Sequence, residues 1–153
     1  MRLALYQPEI APNVGACIRI AACVDAGLDI IEPCGFPLKS REMRKAALDY
    51  GALAEPVHHS SWSHFADSVE RRSGRLVLLT TKSEVSLYDV ELRSEDIFMI
   101  GQESAGVPDH VHAASDVRVK IPIAASARSL NMSVAAAIAL SEARRQLTGP
   151  GRP

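Results

Sequence analysis

The 153-residue sequence lacks a long hydrophobic run, a leader-like start and a set of paired cysteines. No apolar run approaches the ~20 residues that span a bilayer, and no basic segment precedes an apolar core at the start. Cysteines number three, and an odd count in an apolar pattern favours reduced thiols over disulfides. We therefore expect a cytoplasmic protein without a membrane segment.

The sequence also lacks an excess of charge of either sign, because its 17 Lys and Arg residues nearly balance its 18 Asp and Glu residues and the net charge is −1. A global basic field of the kind common in nucleic-acid binders is thus excluded, and a nucleic-acid partner would need a local patch. The segment Lys39–Lys45 carries four positive residues and one negative, although a solvated helix face is the alternative interpretation. The five histidines lack cysteine or carboxylate partners at matching spacing, so we expect no metal.

Strand and helix patterns alternate along the chain. Apolar runs predict strands at residues 3–6, 28–31, 54–58, 75–80, 97–100 and 117–121. Helical spacing and capping residues predict helices at residues 13–26, 40–48, 61–72, 108–114 and 131–147. Strands that are apolar throughout, each followed by a helix, predict an α/β fold with a mostly parallel sheet and helices on both faces. We expect one domain over residues 1–148 and a disordered tail at 149–153.

Three loops of small and hydroxylated residues follow predicted strands, at the edge where open α/β sheets bind ligands. They begin after Leu79, Ile100 and Ile121. Such loops let a ligand approach backbone N–H and C=O groups closely. The segment Gly101–Gly106 lacks the glycine pattern of a dinucleotide loop, and a plain turn explains it as well; no P-loop motif is present.

The first predicted helix contains an arginine in an apolar setting. Arg19 interrupts the run from Cys17 to Val24, where a guanidinium requires an anionic or hydrogen-bonding partner. Gly15 lies four residues earlier on the same helix face, and Asn13 stands where it can cap the first turn. Arg19 is therefore a candidate functional residue, and Asn13 is either a cap or part of a site.

Seven short motifs follow one another over nearly the whole chain. They are Tyr6-Gln7-Pro8-Glu9-Ile10, Asn13-x-Gly15-x-x-x-Arg19, Ile31-Glu32-Pro33-x-Gly35-Phe36, Leu48-Asp49-Tyr50, Leu79-Thr80-Thr81-Lys82, Gly101-x-Glu103-x-x-Gly106-x-Pro108, and Ile121-Pro122 with Arg128-Ser129-Leu130-Asn131-Met132-Ser133. In order and spacing, this set resembles the SPOUT RNA methyltransferases, and within them the YibK and TrmL group of tRNA ribose 2′-O-methyltransferases.

The resemblance implies a C-terminal segment threaded through a loop as a trefoil knot, with S-adenosylmethionine bound by the knotted loops. Backbone groups near Leu79, Gly101 and Ile121 are implied to hold the adenine and ribose, with further contacts from Ser129 and Leu130. The implied reaction is methyl transfer to a ribose 2′-hydroxyl of tRNA, at the wobble cytidine or uridine of the anticodon loop. It needs no metal.

The resemblance also assigns roles to polar residues. Arg19 and Asn13 are the implied catalytic pair, Arg128 contacts RNA or the active site, and Glu103 orients a loop, with a structural salt bridge as the alternative for Glu103. A guanidinium is a poor base at neutral pH, so Arg19 either assists deprotonation or stabilises an oxyanion or phosphate. Relatives form homodimers through the first and last helices, and we expect the same here.

Two positions depart from the pattern of close relatives. Ser141 replaces a tyrosine of the last helix, and Ala105 replaces an arginine in the Gly-x-Glu loop. Arg144 and Arg145 are candidate replacement phosphate contacts, with an exposed helix face as the alternative. A catalytically weak S-adenosylmethionine or RNA-binding module, a nucleotide-binding regulatory domain, and rRNA as the substrate stay open. Arg19 favours an enzyme, because a binding module has no need of it.

Overall fold

The computed structural model describes residues 1–38, 40–48, 50 and 55–149. Across this part of the chain, six parallel strands form one sheet in the order β3-β2-β1-β5-β4-β6. The strands are β1 (Arg2–Tyr6), β2 (Gly27–Ile31), β3 (Val57–His59), β4 (Leu76–Leu79), β5 (Ile97–Ile100) and β6 (Val117–Val119). The helices are α1 (Ala11–Cys23), α2 (Arg41–Ala47), α3 (Trp62–Ala66), α4 (Val69–Arg72), α5 (Asp109–Ala114) and α6 (Met132–Leu147). The predicted parallel sheet is confirmed.

Each face of the sheet is covered by helices, because the strands are apolar on both sides. Leu3 and Leu5 of β1 belong to a core cluster with residues of α1 and α6, whereas Ala4 and Tyr6 point to the opposite side. The opposite cluster contains Phe65 of α3 and Val111 of α5. The predicted helices on both faces are thus confirmed, whereas the trefoil knot and the single-domain boundary stay predictions.

Serine and asparagine caps set several helix boundaries. Ser40 accepts a hydrogen bond from the Met43 N–H and starts α2, as the sequence predicts. The single helix predicted over residues 61–72 is wrong, because Ser61 caps α3 and Ser68 caps α4 separately. Asn13 is not a cap either, since α1 begins two residues earlier and Ile10 is its N-cap residue.

Helices α1 and α2 approach each other very closely at Gly15. A Cβ atom there would collide with the Met43 carbonyl oxygen and would lie 2.6 Å from the Ala46 Cβ. After α2, Leu48 has a φ of 52°, which is strained for a side chain of its size, and is 56% exposed. Lys39, the predicted end of this helix at Gly51, the start of the third strand at 54 and the tail at 150–153 lie outside the described residues.

A buried ion-pair cluster ties the first three strands together. The Arg2 guanidinium donates through Nε to Asp29 Oδ2 at 2.8 Å and through Nη2 to Oδ1 at 3.1 Å. The Nε2 atom of His59 lies 2.8 Å from the same Oδ1, and the Asp29 side chain is fully buried. Because a buried carboxylate without partners is costly, this cluster fixes the register of β1, β2 and β3.

We expect Asp29→Asn to destabilise the protein by about 3–5 kcal/mol, since it leaves a partly buried guanidinium without its carboxylate. Denaturant unfolding followed by circular dichroism measures the loss. Glu91→Gln, at an exposed position, serves as the control and should stay within about 0.5 kcal/mol of the parent. Equal midpoints for the two variants would contradict the structural role of the cluster.

Candidate active site

A cavity of about 570 Å³ lies at the carboxyl ends of β4 and β5. Its walls come from the loop after β4, the loop after β5, the start of α1 and residues 121–132. All five residues that the family resemblance assigns to the cofactor line it: Leu79, Gly101, Ile121, Ser129 and Leu130. The structure therefore brings these residues together, and their contact with a cofactor stays a prediction.

The loop after β5 closes on itself. Gln102 and Gly106 exchange two backbone hydrogen bonds of 2.8 and 2.9 Å, and Gly106 adopts a φ of 69° that favours glycine. A Cβ atom on Gly101 would collide with the Gly106 backbone. Gly101 is therefore required for loop closure, a constraint that the spacing of the motif does not reveal.

A polar network connects the loop after β5 to α1 and to the start of α6 at the cavity mouth. The Glu103 carboxylate accepts hydrogen bonds from the Asn13 side-chain amide and from the Glu9 backbone N–H, both at 2.9 Å. The Asn13 carbonyl oxygen accepts from the Asn131 amide at 2.9 Å. Asn131 Oδ1 in turn accepts from the Ser133 and Val134 N–H groups and caps α6.

This network fits the loop-orienting role predicted for Glu103. In the described part of the chain, no salt bridge to Glu103 is found, and its two oxygens hold neutral donors from the start of α1 and the loop before it. Asn13 is 8% exposed and uses both ends of its amide within the protein. Asn13 thus lines the cavity and holds neighbouring elements of its wall together.

A second connection joins the loops after β1 and β5. The Ser104 backbone N–H and hydroxyl each donate to the Glu9 carboxylate at 2.8 Å, and these bonds lower the pKa of Glu9 below its usual value. The Gln102 amide donates to Gln7 Oε1 at 3.2 Å, and Gln7 has a φ of 46°. Two loops that leave the sheet toward opposite faces are thereby held together.

Sequence reasoning did not assign a role to Glu9 or to the Asn13–Asn131 bond. The capping role of Asn131 can be predicted from the sequence, since an asparagine directly before an alanine-rich helix is a preferred cap. The role of Glu9 cannot, because its partner Ser104 is 95 residues away in the sequence. Only the topology places them together.

Arg19 lies outside the cavity of its own chain. It follows Asn13 by six residues on α1, which turns its side chain ~120° away from that of Asn13. The side chain is exposed, and its guanidinium carbon lies 5.6 Å from the centroid of the Tyr50 ring. Among the described residues, the structure does not bring the predicted catalytic arginine to the predicted cofactor residues of the same chain.

The other predicted RNA-contacting arginines are divided between two regions. Arg128 is exposed in the segment between β6 and α6, beside the cavity-lining Ser129. Arg144 and Arg145 lie on α6, ~18 Å along the helix from its first residue. The Arg144 guanidinium donates to the Val24 carbonyl at 3.1 Å. Arg144 and Arg145 are both exposed, and their contact with phosphate stays a prediction.

The Arg145 side chain is held by a carboxylate on the same helix. Its guanidinium donates twice to Glu142, at 2.7 and 2.8 Å. Together with a bond from the Gln146 amide, these contacts lower the pKa of Glu142 to about 2. A carboxylate this acidic keeps its charge at any physiological pH, so the pairing persists there.

Burial sets the ionisation of other groups near the site. It raises the pKa of the Cys17 thiol to about 12 and that of Cys34 to about 11, so both thiols are neutral at pH 7. The pKa of His112 is lowered by burial, then by Lys82 and Arg118. Among the residues described, no group of three or more His, Cys, Asp or Glu side chains converges as a metal site would require.

The geometry defines an α/β protein with a nucleotide-sized cavity made of small-residue loops at the carboxyl edge of a parallel sheet. Residues 1–141 match the model of the SpoU rRNA Methylase family. The chain belongs to this family and is an RNA methyltransferase. The family predicted from the seven motifs is thus confirmed.

Individual relatives cover nearly the whole chain. A protein of Beijerinckia indica named tRNA (cytidine(34)-2′-O)-methyltransferase is 46% identical over 145 residues, 95% of this chain and 91% of the relative. A protein of Ancylobacter novellus with the same name is 41% identical over 152 residues, 99% of this chain and 96% of the relative.

Solved structures agree with the fold. One, concerned with the 2-OH methylation of C/U34 on tRNA, superposes with a TM-score of 0.89 at 39% identity and covers 97% of this chain and 91% of its own. The AdoMet complex of the SpoU methyltransferase AviRb from Streptomyces viridochromogenes superposes with a TM-score of 0.88 at 26% identity. That match covers 95% of this chain and 60% of the AviRb chain.

The Asn131 side chain combines two roles that substitutions can separate. Asn131→Ala removes the cap of α6 and the bond to Asn13, and we expect it to cost about 1 kcal/mol of stability and to weaken S-adenosylmethionine binding. Asn131→Ser keeps a capping oxygen and lacks the amide donor, so the part of the stability that the cap provides should recover while cofactor affinity stays low. Thermal unfolding and titration calorimetry measure the two effects. Full cofactor affinity in both variants would show that the network does not hold the site.

Proposed function

We propose that this protein transfers the methyl group of S-adenosylmethionine to the ribose 2′-hydroxyl of nucleotide 34 in tRNA, a cytidine or uridine. The single observation that carries the proposal is the convergence of the five predicted cofactor residues on one cavity. The names of the relatives from Beijerinckia indica and Ancylobacter novellus support tRNA and position 34. The structure concerned with C/U34 supports both bases.

The cavity suits the cofactor in size and chemistry. Its volume of about 570 Å³ falls in the range of small-molecule sites. Leu79, Ile121 and Leu130 offer apolar surface for a purine ring, while Thr80 and Ser129 offer hydroxyls to a ribose or carboxylate. The loop after β5 adds small residues to that wall at Gly101, Ala105 and Gly106. When bound, S-adenosylmethionine supplies a methyl group on a positively charged sulfur.

The residues of the chain then have to orient the ribose hydroxyl and manage the charge that develops on its oxygen. Asn13, Glu103 and Asn131 fix the loops that form the cavity mouth. We assign Arg19 to the oxyanion or to an adjacent phosphate. Its role as base or as electrostatic stabiliser stays open.

A homodimer completes this site. Arg19 does not line the cavity of its own chain, and this supports a dimer in which a second copy presents it. The exposed face of α6 contains Val134, which is 46% exposed, and the nearby cavity rim contains Ile10 and Leu130 at 46% and 36%. Such a cluster of exposed apolar residues, next to α1, supports pairing through α1 and α6.

Exposed cations supply the RNA-binding surface in this proposal. Arg41, Arg44 and Lys45 are exposed on α2, and Arg128 is exposed beside the cavity. Because the net charge of the chain is −1, local cations of this kind have to provide the phosphate contacts.

None of the described helices has the length and apolarity needed to cross a membrane. We place the protein in the cytoplasm, with its tRNA.

We expect Arg19→Ala to abolish methyl transfer while cofactor affinity stays within about threefold, because Arg19 lies outside the cavity that binds the methyl donor. The assay incubates parent or variant with unmodified tRNA and labelled S-adenosylmethionine, and nucleoside mass spectrometry then identifies the modified position. Calorimetry with S-adenosylmethionine provides the matching affinity.

Each alternative predicts a different result in this assay. Label in rRNA and not in tRNA would replace the proposed substrate. Binding of the cofactor by the parent without transfer to any RNA would identify a binding module. An unchanged transfer rate in Arg19→Ala at saturating RNA would remove Arg19 from the mechanism.

Mixed dimers test whether two chains build each site. Arg19→Ala keeps the cavity, whereas Gly101→Val disrupts the cofactor loop by collision with Gly106. After re-association at equal concentrations, half of the dimers are mixed and each contains one complete site, so activity should return to about a quarter of the parental value. No recovery in a sample that sedimentation shows to be dimeric would contradict the shared site.

A further inference from the structure

The aromatic ring beside Arg19 is the feature that the proposed function does not use. The Arg19 guanidinium carbon lies over the Tyr50 ring, 5.6 Å from its centroid. This distance is within the ~6 Å over which a guanidinium is attracted to the face of an aromatic ring. Tyr50 is half-buried and Arg19 is exposed, so the ring is the fixed partner and the arginine is the mobile one.

The backbone brings Tyr50 to this place by two unusual features. The absence of a side chain at Gly15, one helical turn before Arg19, lets α2 approach α1 closely. Leu48 then takes a positive φ of 52° directly after α2, while its own side chain is 56% exposed and gains little burial. Strain at such a residue is stable only when the surrounding structure imposes it. We therefore attribute the positive φ of Leu48 to the placement of Tyr50 and not to burial of the Leu48 side chain.

We propose that Tyr50 is a positioning residue that holds the Arg19 guanidinium in the orientation used on the 2′-hydroxyl. The inference rests on the proposed function, which gives Arg19 its role. An attraction through the face of the ring uses none of the five N–H donors of the guanidinium. All of them stay available for an oxyanion or a phosphate. An exposed arginine without this contact distributes over many rotamers, and only a fraction of them are productive.

The effect on catalysis follows from the strength of the contact. A cation–π contact at an exposed site raises the population of the Arg19 rotamer that makes it, relative to the other rotamers, by a factor of about two to five. Tyr50→Leu should therefore lower kcat by about two- to fivefold, while the Kd for S-adenosylmethionine stays unchanged. Tyr50→Phe keeps the ring and lacks only the hydroxyl, so it should restore kcat to the parental value. A merely structural role would not separate kcat from cofactor affinity in this way.

The experiment measures kcat from steady-state methyl transfer at saturating tRNA and S-adenosylmethionine for the parent, Tyr50→Leu and Tyr50→Phe. Tyr88→Leu is the matched control, because Tyr88 is a 52% exposed tyrosine in the 3-10 turn at Leu87–Asp89. It should leave kcat unchanged. If Tyr50→Leu transfers methyl groups at the parental rate, or if Tyr50→Phe is as slow as Tyr50→Leu, the positioning role of the ring is overturned.

A spectroscopic measurement makes the contact testable without activity. The Tyr50 ring current should move the side-chain proton resonances of Arg19 upfield in the parent and in Tyr50→Phe, and this shift should vanish in Tyr50→Leu. An absent shift in the parent would overturn the inference even if methyl transfer to tRNA is found. If the shift is present but the parent modifies no RNA, the proposed function fails while the contact stands.

Discussion

The site depends on one buried amide. Asn13 donates to Glu103 on one side and accepts from Asn131 on the other, and it thereby joins the loop after β5 to the first and last helices. Because both ends of the amide are used at 8% exposure, replacing it leaves buried polar groups unsatisfied. The cavity wall, the cap of α6 and the loop before α1 are all positioned through this side chain. Asn13 therefore has a structural role through these two hydrogen bonds, and its catalytic role stays a prediction.

Much of the fold could be predicted because its strands and caps are local signals. The sequence shows the apolar runs at residues 3–6 and 97–100 and the caps at Ser40 and Asn131. The parallel direction of the strands follows from the alternation of strands and helices. The helix boundary at Ser68 could not be predicted in the same way. Ser68 both caps the following helix and donates to the Phe65 carbonyl, so the chain bends where periodicity alone predicts continuity.

The candidate site was predicted in part. The residues that line the cavity follow from motif order, since loops after parallel strands meet at one edge. The positions of the arginines do not follow, because they depend on long-range partners. Arg144 donates to the end of α1, Arg145 is held by Glu142, and Arg19 lies over Tyr50. The sequence presents these three arginines as free to contact RNA, whereas Arg144 and Arg145 have partners within the protein.

The bond between Asn13 and Asn131 spans 118 residues of chain. Its formation requires that the last helix has docked against the first, and contacts of such large sequence separation form late because their loop-closure entropy is high. During synthesis, the strands and the first helix leave the ribosome long before Asn131 does. A nascent chain therefore has most of its sheet but no finished cavity. Under the proposed function, we expect cofactor binding to arise only with completion of the C-terminal helix, and truncation from that end to remove it before it removes the strands.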